Sequence, residues 1–76
     1  MQILITLHYF VADGKFRQSG DFKVDVRSYK EDPDKEAARV AYEWFREIRR
    51  EFIYNVELYK ALYNEIDITE IVKKGT

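Results

Sequence analysis

The sequence predicts an α+β domain. A single layer of three or four strands carries one amphipathic helix packed on one face, in the order β-β-α-β and then a short strand or helical turn. Three observations predict it. Apolar residues alternate over residues 2–12, they recur at helical spacing over residues 35–52, and period two returns after Phe52. The 76-residue chain forms one small domain, residues 1–76. A chain of this length buries roughly 60 % of its unfolded surface. Trp44, five Phe and six Tyr supply the large side chains that such a small core needs.

In the first strand, Ile3, Ile5, Leu7, Tyr9 and Val11 share one face, and Leu4, Thr6, His8 and Phe10 share the other. Asp13-Gly14 follows, a dipeptide that tolerates positive φ and marks a two-residue hairpin turn. With Asp13 and Gly14 as the loop, Val11 opposes Phe16, His8 opposes Ser19, Ile5 opposes Phe22 and Ile3 opposes Val24. The apolar residues of the second strand then join the odd-numbered face of the first, so turn chemistry and hydrophobic pattern agree. A bulge at Gly20, or a longer loop over residues 12–21, is the alternative. The second strand is expected to run through Val26 to about Tyr29.

Asp32 is a good N-cap, Pro33 suits the first helical position, and Asp34 and Glu36 sit where the helix dipole favours negative charge. The helix extends to about Glu51, with Ala37, Val40, Ala41, Trp44, Phe45 and Ile48 as its apolar stripe. Tyr54, Val56 and Leu58 alternate as a third strand, and Tyr63-Asn64-Glu65 reads as a turn. Ile66–Val72 fits either a short strand or a helical turn capped by Asp67 or Thr69, and residues 73–76 are expected to fray. The preferred strand order is 2-1-3, because the first strand is apolar on both faces and belongs in the centre.

The composition excludes much chemistry. Without cysteine there is no disulfide, thiolate nucleophile or thiolate metal site. His8 is the only histidine, so no imidazole pair is present to hold zinc. Its expected neighbour Ser19 comes with no orienting acid, which is too little for a catalytic relay. Glu65, Asp67 and Glu70 match no calcium loop, and the glycines form no phosphate-binding pattern. The expectation is therefore a non-enzyme with no catalytic residue, cofactor or metal. A membrane span needs ~20 apolar residues, and no such run or leader pattern is visible, so a cytoplasmic, soluble location with no membrane partner is expected.

One helix covers only one face of a small sheet. The other face is expected to carry Leu4, Thr6, His8, Phe10, Arg17, Lys23, Asp25, Arg27, Glu57 and Tyr59. Leu4, His8, Phe10, Arg27 and Tyr59 are its candidate partner-binding residues, since contiguous apolar surface marks docking sites. The expected function is a small protein-interaction domain (adaptor, inhibitor or regulatory subunit) acting through this open face or an edge strand. The partner is another protein or a second copy in a homodimer. The alternative is a single-stranded nucleic-acid-binding module with an aromatic and basic sheet face. The net charge of −1, with acids interleaved among the bases, argues against it.

Overall fold

The computed structural model describes residues 1–74 and shows one antiparallel sheet with helices on one side. The elements are β1 (Gln2–Val11), β2 (Gly14–Lys23), α1 (Val26–Glu31), α2 (Pro33–Glu51), β3 (Val56–Tyr63), β4 (Ile66–Asp67) and α3 (Thr69–Lys73). The sheet order is β2-β1-β3-β4, with β1 antiparallel to both of its neighbours. The central place of β1 follows from its sequence. Ile3, Ile5, Leu7, Tyr9 and Val11 are all buried on its inner face. Of the tail expected at residues 73–76, Lys73 ends α3 and residues 75–76 lie outside the described residues.

The hairpin forms, but its register differs from the expected one by two residues. The loop is Ala12-Asp13, with Ala12 at φ 53°, and Gly14 is the first residue of β2. Val11 now opposes Gly14, Tyr9 opposes Phe16, and Ile3 opposes Phe22. Cross-strand packing outweighs the turn preference. The Tyr9 and Phe16 rings stack, with centroids 5.9 Å apart, a pair worth up to about 1 kcal/mol that offsets part of the ~1–2 kcal/mol cost of a left-handed alanine. Gly14 serves a different purpose from the one expected, because a Cβ there would meet the Phe16 ring at 2.9 Å. A shift of two keeps every side chain on its face, so Phe16 and Phe22 still point inward. Gly20 is no bulge either. It faces Ile5 in an uninterrupted ladder and leaves room for Phe22 and Trp44, whose rings lie 4.7 Å apart.

The second strand stops at Lys23, and the segment expected to extend it is helix α1. The Ser28 hydroxyl donates to Asp25 Oδ2 at 2.7 Å, and Tyr29 N–H donates to the Asp25 carbonyl. Asp25 thereby opens a helical turn, a local bond that competes with strand pairing. Arg27 consequently lies exposed on α1, and neither it nor Asp25 belongs to the sheet face.

Helix α2 begins where the sequence indicates. Asp32 Oδ1 accepts from Lys35 N–H, and Pro33 is the first helical residue. Ala37, Ala38 and Ala41 are wholly buried, and their small side chains let α2 sit close to the sheet. Phe45 and Ile48 continue the buried stripe, while Trp44 is half-buried beside Phe22. Tyr54 is exposed and precedes β3 rather than lying within it.

The stretch left open by the sequence, residues 66–72, is both a two-residue strand and a helical turn. Ile68 and Val72 bury against the core from the α2 side, and Thr69 Oγ1 accepts from Ala61 N–H at 3.0 Å. The Tyr63 hydroxyl donates to Asp34 Oδ1, which ties β3 to the start of α2. That bond, then burial, pushes the phenol up to about 12. Tyr63→Phe is expected to cost about 1 kcal/mol or less in urea unfolding, because Asp34 remains exposed to water. A phenol held above its usual 10 contributes stability below pH 10 that is lost as pH rises through 12. The variant should therefore lose less stability than wild type over that interval.

Candidate docking face

The helices lie on one side of the sheet, and the outward residues of β1 (Leu4, Thr6, His8, Phe10) face the other. Strand β3 supplies the rest of this surface through an irregularity. Its register with β1 shifts between His8 and Tyr9, so Leu58 opposes Tyr9 and Lys60 opposes His8, with Tyr59 as the extra residue. Val56, Leu58, Ala61 and Tyr63 are buried, a pattern that changes parity across the bulge. The sequence carries this sign. Apolar spacing passes from Leu58 to Ala61, which strict alternation does not allow.

The bulge brings three rings together. Phe10 and Tyr59 have centroids 4.4 Å apart at a 33° tilt, and His8 lies 5.8 Å from Tyr59. All three residues are half-buried. Cations flank them from both neighbouring strands. Lys15 opposes Phe10 and places Nζ 5.8 Å from its ring centre, while Arg17 and Lys60 oppose His8 from either side. Burial first, then Lys60 and Arg17, lower the His8 imidazole below its ordinary 6.5. His8 thus sits among cations rather than beside a carboxylate that would orient it as a base.

Of the five candidate residues, the structure brings His8, Phe10 and Tyr59 into one cluster. Leu4 is on the same face but further along β1, where Asn64 holds it. Leu4 N–H donates to Asn64 Oδ1, and Asn64 N–H donates to the Leu4 carbonyl. Arg27 is absent from the face. The expected His8–Ser19 pair does not form, because the register places Ser19 opposite Thr6, with their hydroxyls 3.0 Å apart. The expected set omits Lys15 and Lys60: Lys15 faces outward in either register but comes opposite Phe10 only in this one, and Lys60 reaches the face through the bulge.

Of the acidic residues near the C-terminus, Asp67 is engaged locally. Asp67 Oδ1 accepts from Thr69 N–H and Oγ1 at 2.9 and 2.6 Å, and these bonds hold its carboxyl below the usual range. Among the described residues, no helix is long and apolar enough to cross a membrane. No protein-family model, curated protein or solved structure matches the chain.

Proposed function

We propose that the chain is a non-enzymatic protein-interaction domain whose open sheet face receives a partner surface bearing an apolar side chain flanked by carboxylates. The observation that carries this reading is the Phe10–Tyr59–His8 cluster with Lys15, Arg17 and Lys60 around it. Aromatic side chains beside cations are the composition that protein interfaces favour. Apolar contact on the rings would supply affinity, and the cations would select an acidic partner.

The same cations favour a second reading, single-stranded nucleic acid. It is weaker because bases stack on free ring faces. Here Phe10 packs against Tyr59 on the β3 side and lies beneath Lys15 on the β2 side.

The test compares affinity capture from nuclease-treated source-cell extract by wild type, Phe10→Ala/Tyr59→Ala, Lys15→Glu/Lys60→Glu and a Glu47→Lys control on the exposed side of α2. A protein retained by wild type and control, and lost by both face variants, is the expected result. Equal capture by all four overturns it. Anisotropy of a labelled thymidine oligonucleotide at ~0.15 M salt addresses the second reading. Sub-micromolar binding that weakens steeply with salt would reassign the face.

A further inference from the structure

The outer edge of β2 has no partner strand among the described residues. The sheet ends there, after a ten-residue strand with an unbroken register. A two-residue turn closes on a hydrogen-bonded pair, here Val11 and Gly14. The antiparallel alternation then directs the backbone N–H and C=O of even-numbered β2 residues to β1, and those of Lys15, Arg17, Ser19 and Asp21 to the open edge. Most devices that protect edges are missing. Strand β2 has no proline, no bulge and no inward-pointing charge, and its inner residues are Gly14, Phe16, Gln18, Gly20 and Phe22. The opposite edge of the sheet, by contrast, is the two-residue strand β4.

We propose that β2 pairs antiparallel with β2 of a second copy, with Gln18 on the two-fold axis, so that the two four-stranded sheets become one continuous sheet. The charge order along the edge supports a second copy as the occupant. Outward positions from Asp13 to Lys23 read Asp, Lys, Arg, Ser, Asp, Lys, which is self-complementary when reversed. About the Gln18 axis, Lys15 opposes Asp21 of the second copy, Arg17 opposes its Ser19, and Lys23 comes level with its Asp13. A two-fold axis perpendicular to the sheet keeps the helices of both copies on one side, which requires opposed residues to point the same way. The Gln18 register meets that requirement. Of the two neighbouring allowed registers, Ser19 on the axis sets Lys15 against Lys23, and Arg17 on the axis sets Arg17 against itself and Asp13 against Asp21. On the inner face, Phe16 of one copy falls opposite Gly20 of the other, and Phe22 opposite Gly14. The space over those glycines is held by the same copy's Phe22 and Phe16 rings, so the exposed Phe16 ring of one copy comes against Phe22 of the other and gains cover.

Sedimentation of wild type and variants from ~10 μM to ~1 mM tests the dimer, across the affinity range of small interfaces. Wild type is expected to pass from monomer to dimer within that range. Asp21→Lys turns both symmetry-related Lys15–Asp21 contacts into like-charge pairs and should weaken association at least ~10-fold. Adding Lys15→Asp to it should restore association to within ~3-fold of wild type. Amide exchange supplies a second measurement. The Lys15, Arg17, Ser19 and Asp21 amides should gain protection as concentration rises, while the even-numbered β2 amides, bonded to β1, stay protected throughout and report that each variant is folded. Phe10→Ala/Tyr59→Ala should dimerise as wild type does, so loss of the proposed face leaves this result intact. A wild type that stays monomeric at ~1 mM, or a double charge swap no better than Asp21→Lys alone, overturns the proposal.

Discussion

Replacing Tyr9 by alanine is expected to cost about 3–5 kcal/mol, whereas the same change at its neighbour Phe10 should cost about 1 kcal/mol. The two aromatic residues are adjacent in sequence and point to opposite faces of β1. Tyr9 is 1 % exposed, stacks on Phe16 and meets the edge of Phe52. Its removal leaves a cavity between the hairpin and the end of α2 that close packing cannot fill cheaply. Phe10 is half-buried, and its loss forfeits chiefly the ring contact with Tyr59. A chain of 76 residues has a total stability of about 4–11 kcal/mol, so Tyr9→Ala leaves little or nothing in reserve. Thermal unfolding should show a loss of at least ~12 °C for Tyr9→Ala and under ~10 °C for Phe10→Ala. In the capture experiment, Phe10→Ala should lose the partner while remaining folded. Comparable destabilisation by the two changes would mean that the outward face belongs to the core, and the docking reading would fail.

This contrast also shows how much of the molecule the sequence reveals. Period two separates Tyr9 from Phe10 without any structure, and the Asp32-Pro33 start of α2 is equally plain because both signals are local. The hairpin register is not local. The Asp13-Gly14 dipeptide favours one loop, but the Tyr9–Phe16 stack forms only in the register two residues away. Phe22, Val24 and Val26 alternate as a strand would, yet the chain turns helical from Val26, with a bond from Ser28 to Asp25. That difference removes Arg27 from the docking face. The bulge at Tyr59 adds Lys60 to it. The aromatic half of the candidate site and Arg17 are therefore legible from periodicity, whereas the placing of Lys15 beside Phe10 and of Lys60 beside His8 depends on register details that only tertiary packing decides.

Glu36 illustrates the same limit, and its removal is the second large effect expected. Its place in the first turn of α2 suggests no more than a favourable interaction with the helix dipole. In the fold it is 4 % exposed and joins α1 to α2. Its Oε2 accepts from Asp25 N–H at 2.8 Å and from Arg39 Nη2 at 2.7 Å, and Oε1 accepts from Arg39 Nε at 2.8 Å. Glu36→Ala strands the Asp25 amide and should cost about 2–3 kcal/mol. The cost stays below the 3–5 kcal/mol typical of a broken buried pair because the Arg39 side chain is 45 % exposed and regains water. Glu36→Gln keeps an acceptor for Asp25 N–H and should cost about 1 kcal/mol. The hydrogen bonds from Arg39, opposed by burial and aided by the Asp25 amide, hold the carboxyl below its ordinary 4.5. A depressed folded value means that this stability is fully present above pH 4.5 and is lost as pH falls through the lower folded value. The stability gap between wild type and Glu36→Gln should accordingly be constant near neutrality and close as the solution is acidified below pH 4.5. Urea titrations of both proteins across that range measure the gap directly. A gap that persists at low pH would show that Glu36 contributes through its shape and packing rather than through its charge.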